Sequence, residues 1–158
     1  MATTIEQGKG SLPEANIAAA ESALGVSFPD DYRSFMARFN GGRPKPRKLK
    51  VEWRDNQACA DEWPSTSMGW FYWISDDPVN DLVDLNKTDF AGRLPNGCVT
   101  IAADAGGNQV LLALAGPHSG KVLFWVKDHE VDEGDEPGYD NVGFLADSFA
   151  ELLTQKLY

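Results

Sequence analysis

Cysteine and histidine are scarce in this sequence, with two of each in 158 residues. Cys59 and Cys98 lie 39 positions apart and neither belongs to a CxxC pair, so we predict two buried, reduced thiols, and neither a zinc knuckle nor a disulfide framework. His118 falls among turn residues and His129 starts an acidic stretch, and neither has a partner at metal-ligand spacing. We therefore interpret both histidines as surface residues and expect no metal and no cofactor.

Long apolar runs are also missing. None approaches the length that a membrane span requires, and Met1–Gly10 has neither the basic start nor the apolar stretch of a secretory signal. We therefore expect a cytoplasmic protein with no membrane association. A length of 158 residues, with 42% hydrophobic and 24% charged residues, is typical of one globular unit. The prediction is a single domain over residues 1–158.

Positive charge is absent from two parts of the chain. Residues 55–86 contain seven acidic residues and no Lys or Arg, and residues 128–140 again contain seven and none. Together they carry −14, which leaves +4 on the remainder because the net charge is −10. Such segments repel nucleic acid and attract a basic protein, so we expect a protein partner and no direct nucleic-acid binding. The alternative is that they only keep the protein soluble.

The order of helix and strand signals predicts an α+β fold. One helix is expected from a capping box of Ser11 and Glu14 to a stop at Gly25, and a second that begins after Phe28-Pro29-Asp30 and is ended by Asn40-Gly41-Gly42. A terminal helix is expected after Ser148. Short apolar runs predict five strands, the last three as an antiparallel meander. The strands are expected at 49–53, 70–74, 99–103, 110–114 and 122–126, a short helix near 82–85, and long loops at 54–69 and 128–141.

No pattern typical of catalysis emerges. Gly106-Gly107-Asn108 lacks the lysine of a P-loop, the spacing of a dinucleotide fingerprint and a following helix. Asp104 is interpreted as bonding the backbone of its own turn. The acidic string at 132–136 lacks the alternating ligand spacing of a calcium loop. A binding protein is therefore favoured over an enzyme, and a hydrolase that uses Cys98, His118 or Asp104 remains a minor alternative.

Tryptophan is plentiful, with five in the chain. In a strand over Trp70–Trp73, alternate rings face opposite sides, so one pair is expected to be less buried. Either both faces are covered, or Trp70 and Tyr72 form an aromatic patch rimmed by acidic residues, which suits a protein interface. The candidate partner-binding residues are Trp70, Tyr72, Asp76, Asp77, Asp81, Asp84, Asp128, Glu130, Asp132, Glu133, Asp135 and Glu136.

A series of short motifs follows a distinctive order along the chain. They are Glu21, Leu24-Gly25, Phe28-Pro29, Tyr32-Arg33-Ser34-Phe35, Asn40-Gly41-Gly42, Arg93-Leu94-Pro95, Val99–Ala102, Asp104–Asn108, Gly120-Lys121-Val122 with Phe124-Trp125, and Ala146–Phe149 with Leu152-Leu153. In this order the chain resembles the SUKH superfamily, which includes the Smi/Knr-type cell-wall assembly regulators of fungi. The resemblance covers about residues 17–157.

The resemblance implies both a fold and a function. The fold would have N-terminal helices and a C-terminal helix around a curved, largely antiparallel β-sheet. The function would be that of a bacterial immunity protein, which neutralises a polymorphic toxin, often a nuclease, by direct contact; the alternative is a regulatory or scaffold protein like the fungal members. A monomer and a weak dimer are both compatible with it. No catalytic residue is implied, and the motif residues expected to be structural are Pro29, Asn40, Gly41, Gly42, Asp104, Gly107, Asn108 and Gly120.

Overall fold

The computed structural model describes residues 2–158, which form helices around two antiparallel sheets. A short 3-10 turn covers Lys127–His129. In chain order the elements are β1 (Thr4–Glu6), α1 (Glu14–Leu24), α2 (Asp30–Phe39), β2 (Arg43–Lys45), β3 (Lys48–Lys50), α3 (Gln57–Glu62), β4 (Ser65–Phe71), α4 (Leu82–Lys87), β5 (Cys98–Asp104), β6 (Gln109–Ala113), β7 (Val122–Trp125), β8 (Val142–Ala146) and α5 (Phe149–Glu151), which continues as a π-helical turn over Leu152–Lys156.

The main sheet is a meander of six strands, β3 to β8, in which each strand pairs with the next. Register shifts interrupt the ladders of β4, β5 and β7, and such bulges increase the local twist. The sheet curls until its two ends meet. Glu52, just after β3, donates its N–H to the Phe144 carbonyl at 2.9 Å and accepts from the Phe144 N–H at 2.8 Å. The predicted curved, antiparallel α+β fold is confirmed.

Both faces of the central strands are buried. On one face, α1, α2 and α5 pack against the sheet, and edge-to-face aromatic contacts join Phe35 to Phe71 at 4.9 Å and Tyr32 to Phe149 at 5.0 Å between ring centroids. On the other face, a smaller cluster is covered by the chain around residues 90–98 and 139–144. It consists of Leu111, Ala113, Leu123, Trp125 and Val142.

Several local predictions hold, and others do not. Gly25 and Asn40 end the first two helices in left-handed conformations, and the Ser148 hydroxyl accepts from the Glu151 N–H at 3.0 Å. The first capping box is wrong, because α1 begins after Pro13 without a side-chain cap. The predicted loop at 54–69 instead contains α3 and the start of β4.

Strand β8 was not predicted, because its sequence contains a glycine. Gly143 lowers the intrinsic strand preference of Val142–Ala146. The structure shows why it is needed: a Cβ there would lie 2.5 Å from Val51 Cγ1 and 3.1 Å from the Trp53 ring. The glycine therefore allows the end of the sheet to pack closely on the chain that follows β3.

Candidate partner-binding site

The second acidic segment is an exposed loop fixed at its base. Residues 131–136 are all exposed, and Glu130 just before them forms an ion pair with Arg93, Nη2 to Oε1 2.8 Å. The guanidinium of Arg93 lies over Phe90 and Trp125, at 4.9 and 5.4 Å from the ring centroids. Because Trp125 is buried in the smaller core cluster, the ion pair ties the start of the loop to the sheet.

A groove of about 660 Å³ separates this loop from the chain at 88–93. Its lining includes the cations Arg93 and Lys127, but carboxylates outnumber them. The acidic members of the lining are Asp89, Asp128, Glu130, Asp132, Glu133 and Asp135.

The start of the first acidic segment, residues 55–63, contacts both ends of the loop at 128–140. The Asn56 side-chain amide donates to the Asp140 carbonyl at 2.7 Å, and the Trp63 and His129 rings contact edge to face at 5.5 Å. We call residues 55–62, 89 and 128–140 the acidic surface. Of its eleven carboxylates, only Glu130 belongs to an ion pair within residues 2–158.

The rear part of the first acidic segment has a different setting. Asp81 is buried, and its carboxylate accepts from the Ser75 and Asp84 N–H groups, both at 2.9 Å, which caps α4. The prediction that Asp81 contacts a partner is therefore wrong. Asp76, Asp77 and Asp84 are exposed, and for them a binding role stays a prediction.

The prediction that Trp70 and Tyr72 form an exposed aromatic pair is also wrong. Tyr72 is buried, and its hydroxyl donates to Gln109 Oε1 at 2.6 Å, so it cannot contact a partner. The strand ends at Phe71 after a bulge, which breaks the expected alternation and leaves Trp73 half-buried beside Trp70, with 6.1 Å between ring centroids. Cations lie over these rings: Lys9 Nζ at 4.4 Å and the Arg43 guanidinium at 6.0 Å.

A basic stretch continues from these rings along β2 and β3. Lys48 and Lys50 point outward on either side of buried Leu49 and lie opposite Ser67 and Ser65 of β4. We call Arg43, Lys45, Arg47, Lys48 and Lys50 the basic ridge. None of the five forms an ion pair with a residue of the described chain.

The turn after β5 is held by Asp104. Its carboxylate accepts from the N–H groups of Gly106 and Asn108, at 2.9 and 2.8 Å, and from the Thr66 hydroxyl at 2.7 Å. Asn108 in turn accepts from the Lys127 N–H at 3.1 Å. Asp104 therefore organises its turn, as its sequence context predicted, and its oxygens are occupied by structural hydrogen bonds.

The end of α2 is joined to the chain beyond β4. Asn40 is buried, donates from Nδ2 to the Ile74 carbonyl at 2.9 Å and accepts from the Ile74 N–H at 2.8 Å. At Gly41, with φ of 81°, a Cβ would lie 2.8 Å from the Phe71 carbonyl oxygen. The remaining motif residues also occupy structural positions: Pro29 precedes α2, Gly42 bonds Phe71, and Gly107 and Gly120 lie in turns.

The two cysteines differ in burial. Cys59 is buried as predicted, whereas Cys98 is half-buried. Burial raises the pKa of the Cys98 thiol to about 11, although a hydrogen bond with Tyr139 opposes the shift. At neutral pH this sulfur is a protonated thiol and a poor nucleophile. Within residues 2–158, no three His, Cys, Asp or Glu side chains are placed to share a metal ion, and no helix has the length and apolarity to span a membrane.

The sequence is similar to known proteins. A known protein similar in sequence is the SPbeta prophage-derived uncharacterized protein YokK of Bacillus subtilis (strain 168), 27% identical over 143 residues, which are 84% of this chain and 68% of the relative. The model of the SMI1 / KNR4 family (SUKH-1), whose members are generally immunity-like or regulator-type proteins without catalysis, matches residues 11–155. Since this match runs from α1 into the last helical turn, the chain belongs to the SMI1 / KNR4 family (SUKH-1).

Proposed function

We propose that this chain is an immunity protein that binds a basic toxin domain through its acidic surface and neutralises the toxin by direct contact. The observation that carries the proposal is the set of carboxylates on the acidic surface without a cation partner. Ten of the eleven are outside any ion pair of the described chain, and residues 131–136 are exposed without interruption.

Such a surface favours fast association with a basic protein. Like charges that are concentrated on one face attract an oppositely charged partner from solution and raise the association rate by roughly 10- to 1000-fold, an effect that salt weakens. The ion pair of Arg93 and Glu130 holds the base of the loop, which reduces the ordering cost of binding. These properties suit an inhibitor that must reach its toxin quickly.

Two further observations support binding rather than catalysis. The carboxylate of Asp104 is committed to its turn, and the pKa of the Cys98 thiol is raised. The family is immunity-like, and the prophage origin of one relative is consistent with a gene acquired for defence against a toxin.

The test requires a basic toxin domain, taken from a gene that neighbours the gene of this protein. The toxin is produced in cells with and without this protein, and cell growth and complex formation are measured. Asp132→Lys/Glu133→Lys is compared with Glu6→Lys/Asp30→Lys, since both pairs change the net charge by the same amount, all four residues are exposed, and Glu6 and Asp30 lie outside the acidic surface. We expect the first pair to slow association by roughly 10-fold at low salt, and the second by less than about twofold.

The outcomes separate the parts of the proposal. No complex and no protection of growth would refute the immunity function, whereas a regulatory or scaffold protein would give that result. Equal slowing by both pairs would show that net charge matters and that the acidic surface does not.

A further inference from the structure

A pocket of about 480 Å³ lies where the two acidic segments meet, against the outer face of β8. Phe144 lines it, and the ring of His118 contacts both Phe144 and Tyr139, at 5.1 and 5.0 Å between centroids. Trp53 and residues 54–57 also line it. The pocket therefore presents several aromatic faces within an acidic part of the molecule.

One cation of the chain already occupies an aromatic face here. The guanidinium carbon of Arg54 lies 3.8 Å from the centroid of Phe144. Arg54 is exposed and forms no ion pair with a carboxylate of residues 2–158. Its contact with the ring is a cation–π interaction, and its charge also contributes to the lowered pKa of Asp147.

The rim of the pocket adds negative charge. Asp55 and Asp140 line it, both are exposed, and neither belongs to an ion pair in the described chain. An aromatic face beside free carboxylates suits a planar guanidinium, which can stack on a ring and donate two parallel hydrogen bonds to a carboxylate. Lysine offers a point charge without this stacking geometry.

We propose that the pocket is the seat of an arginine side chain of the partner, and that Arg54 occupies this seat in the free protein and is displaced on binding. The inference rests on the proposed function for the source of that arginine, because a basic toxin would supply it. Arg54 would then weaken binding in two ways, by filling the face of Phe144 and by adding positive charge.

The test needs no toxin. Nα-acetyl-L-arginine amide is titrated into the protein, and the shifts of the ring protons of Phe144, His118 and Tyr139 are followed by NMR. The uncharged citrulline analogue serves as the matched ligand. We expect saturable shifts with the arginine compound and none with the citrulline compound.

Three variants locate the effect. Arg54→Ala should bind the arginine compound roughly 2- to 30-fold more tightly, and Phe144→Leu, which keeps an apolar side chain, should bind it more weakly by a similar factor. Arg47→Ala is the control, since it removes the same charge from an exposed site on the basic ridge outside the pocket. It should change the affinity by less than about twofold, because it leaves every residue that lines the pocket in place and surface charges outside it are weakened by salt.

Equal shifts with the citrulline compound would overturn the proposal. So would equal tightening in Arg54→Ala and Arg47→Ala, or unchanged binding by Phe144→Leu with a native amide spectrum. If the arginine compound binds but the adjacent toxin does not, the pocket stands and the immunity function fails. If the toxin binds and the arginine compound does not, the immunity function stands and the arginine pocket fails.

Discussion

Arg93 and Glu130 form a two-point ion pair, with Nε 3.1 Å from Oε2 and Nη2 2.8 Å from Oε1, between residues 37 positions apart. The same guanidinium lies over the rings of Phe90 and Trp125. One side chain thus links the segment after α4, the smaller core cluster and the exposed acidic loop.

Replacing Arg93 should loosen the acidic loop without unfolding the domain. In Arg93→Gln we expect amide exchange over residues 128–136 to rise roughly 10-fold, because the base of the loop loses its anchor. The free energy of unfolding should fall by only about 1 kcal/mol, since partly exposed ion pairs contribute little. Hydrogen exchange by mass spectrometry and urea denaturation measure the two effects.

The control for this prediction is another ion pair. Lys121→Gln breaks the exposed pair with Asp147, which lies outside the acidic loop. It should leave exchange over residues 128–136 unchanged. Unchanged exchange in Arg93→Gln as well would show that the loop is held by other contacts.

Sequence reasoning succeeded where one residue decides the local structure. Gly25 ends a helix because its conformation costs glycine little, and Asp104 organises a turn because its side chain reaches the backbone two residues ahead. It failed where distant segments meet. The contact of Asn56 with Asp140 spans 84 positions, and no local pattern encodes it.

The aromatic run shows the same limit. Strict alternation predicted that Trp70 and Tyr72 share a face, but a bulge and an early strand end pair Trp70 with Trp73. A bulge inserts one extra residue into the two-residue alternation of a strand. Its position is set by the pairing of β4 with β5, which the sequence of β4 alone does not contain. The charge of the acidic segments is visible in the sequence, whereas the contact of residues 55–62 with the second segment, and the separate setting of residues 76–84, required the fold.

Two buried tyrosines should respond in opposite ways to loss of the hydroxyl. The hydroxyl of Tyr32 is fully buried and has no hydrogen-bond partner among residues 2–158, whereas that of Tyr72 donates to Gln109 at 2.6 Å. Tyr32→Phe should raise the free energy of unfolding by about 1 kcal/mol, because it removes an unsatisfied polar group. Tyr72→Phe should lower it by about 1 kcal/mol, because it removes a satisfied one.

Urea denaturation of both variants measures their free energies of unfolding. An m-value equal to that of the wild type in each variant shows that the same unfolding transition is compared. Destabilisation of similar size in both would mean that the Tyr32 hydroxyl has a partner, such as a buried water.

Cys98 should react slowly with thiol reagents despite its partial exposure. Because burial raises its pKa to about 11, roughly one molecule in a thousand carries the thiolate at pH 8, against about one in four for an ordinary cysteine. In a Cys59→Ala background, we expect reaction with a disulfide reagent at least about 100-fold slower than that of free cysteine. The rate should rise about tenfold per pH unit between pH 8 and pH 10.

The same shift predicts how stability depends on pH. A raised pKa means that the folded state keeps the Cys98 proton where the unfolded state loses it, so the contribution is intact below about pH 9 and declines as the pH rises towards 11. Cys98→Ala should flatten that decline in denaturation curves. An ordinary reaction rate for Cys98 would contradict both expectations and return it to the list of candidate nucleophiles.

Asn40 combines a left-handed backbone with two side-chain hydrogen bonds to Ile74, and paired substitutions separate these contributions. Asn40→Gly keeps the backbone conformation accessible but leaves the Ile74 N–H and carbonyl without their partner, so we expect a loss of about 2 kcal/mol. Asn40→Ala should lose about 1 kcal/mol more, because a Cβ is strained at φ of 47°. Urea denaturation measures both. Wild-type stability in Asn40→Gly would show that the hydrogen bonds contribute nothing. Equal losses of unfolding free energy in the two variants would show that the left-handed backbone costs alanine nothing here.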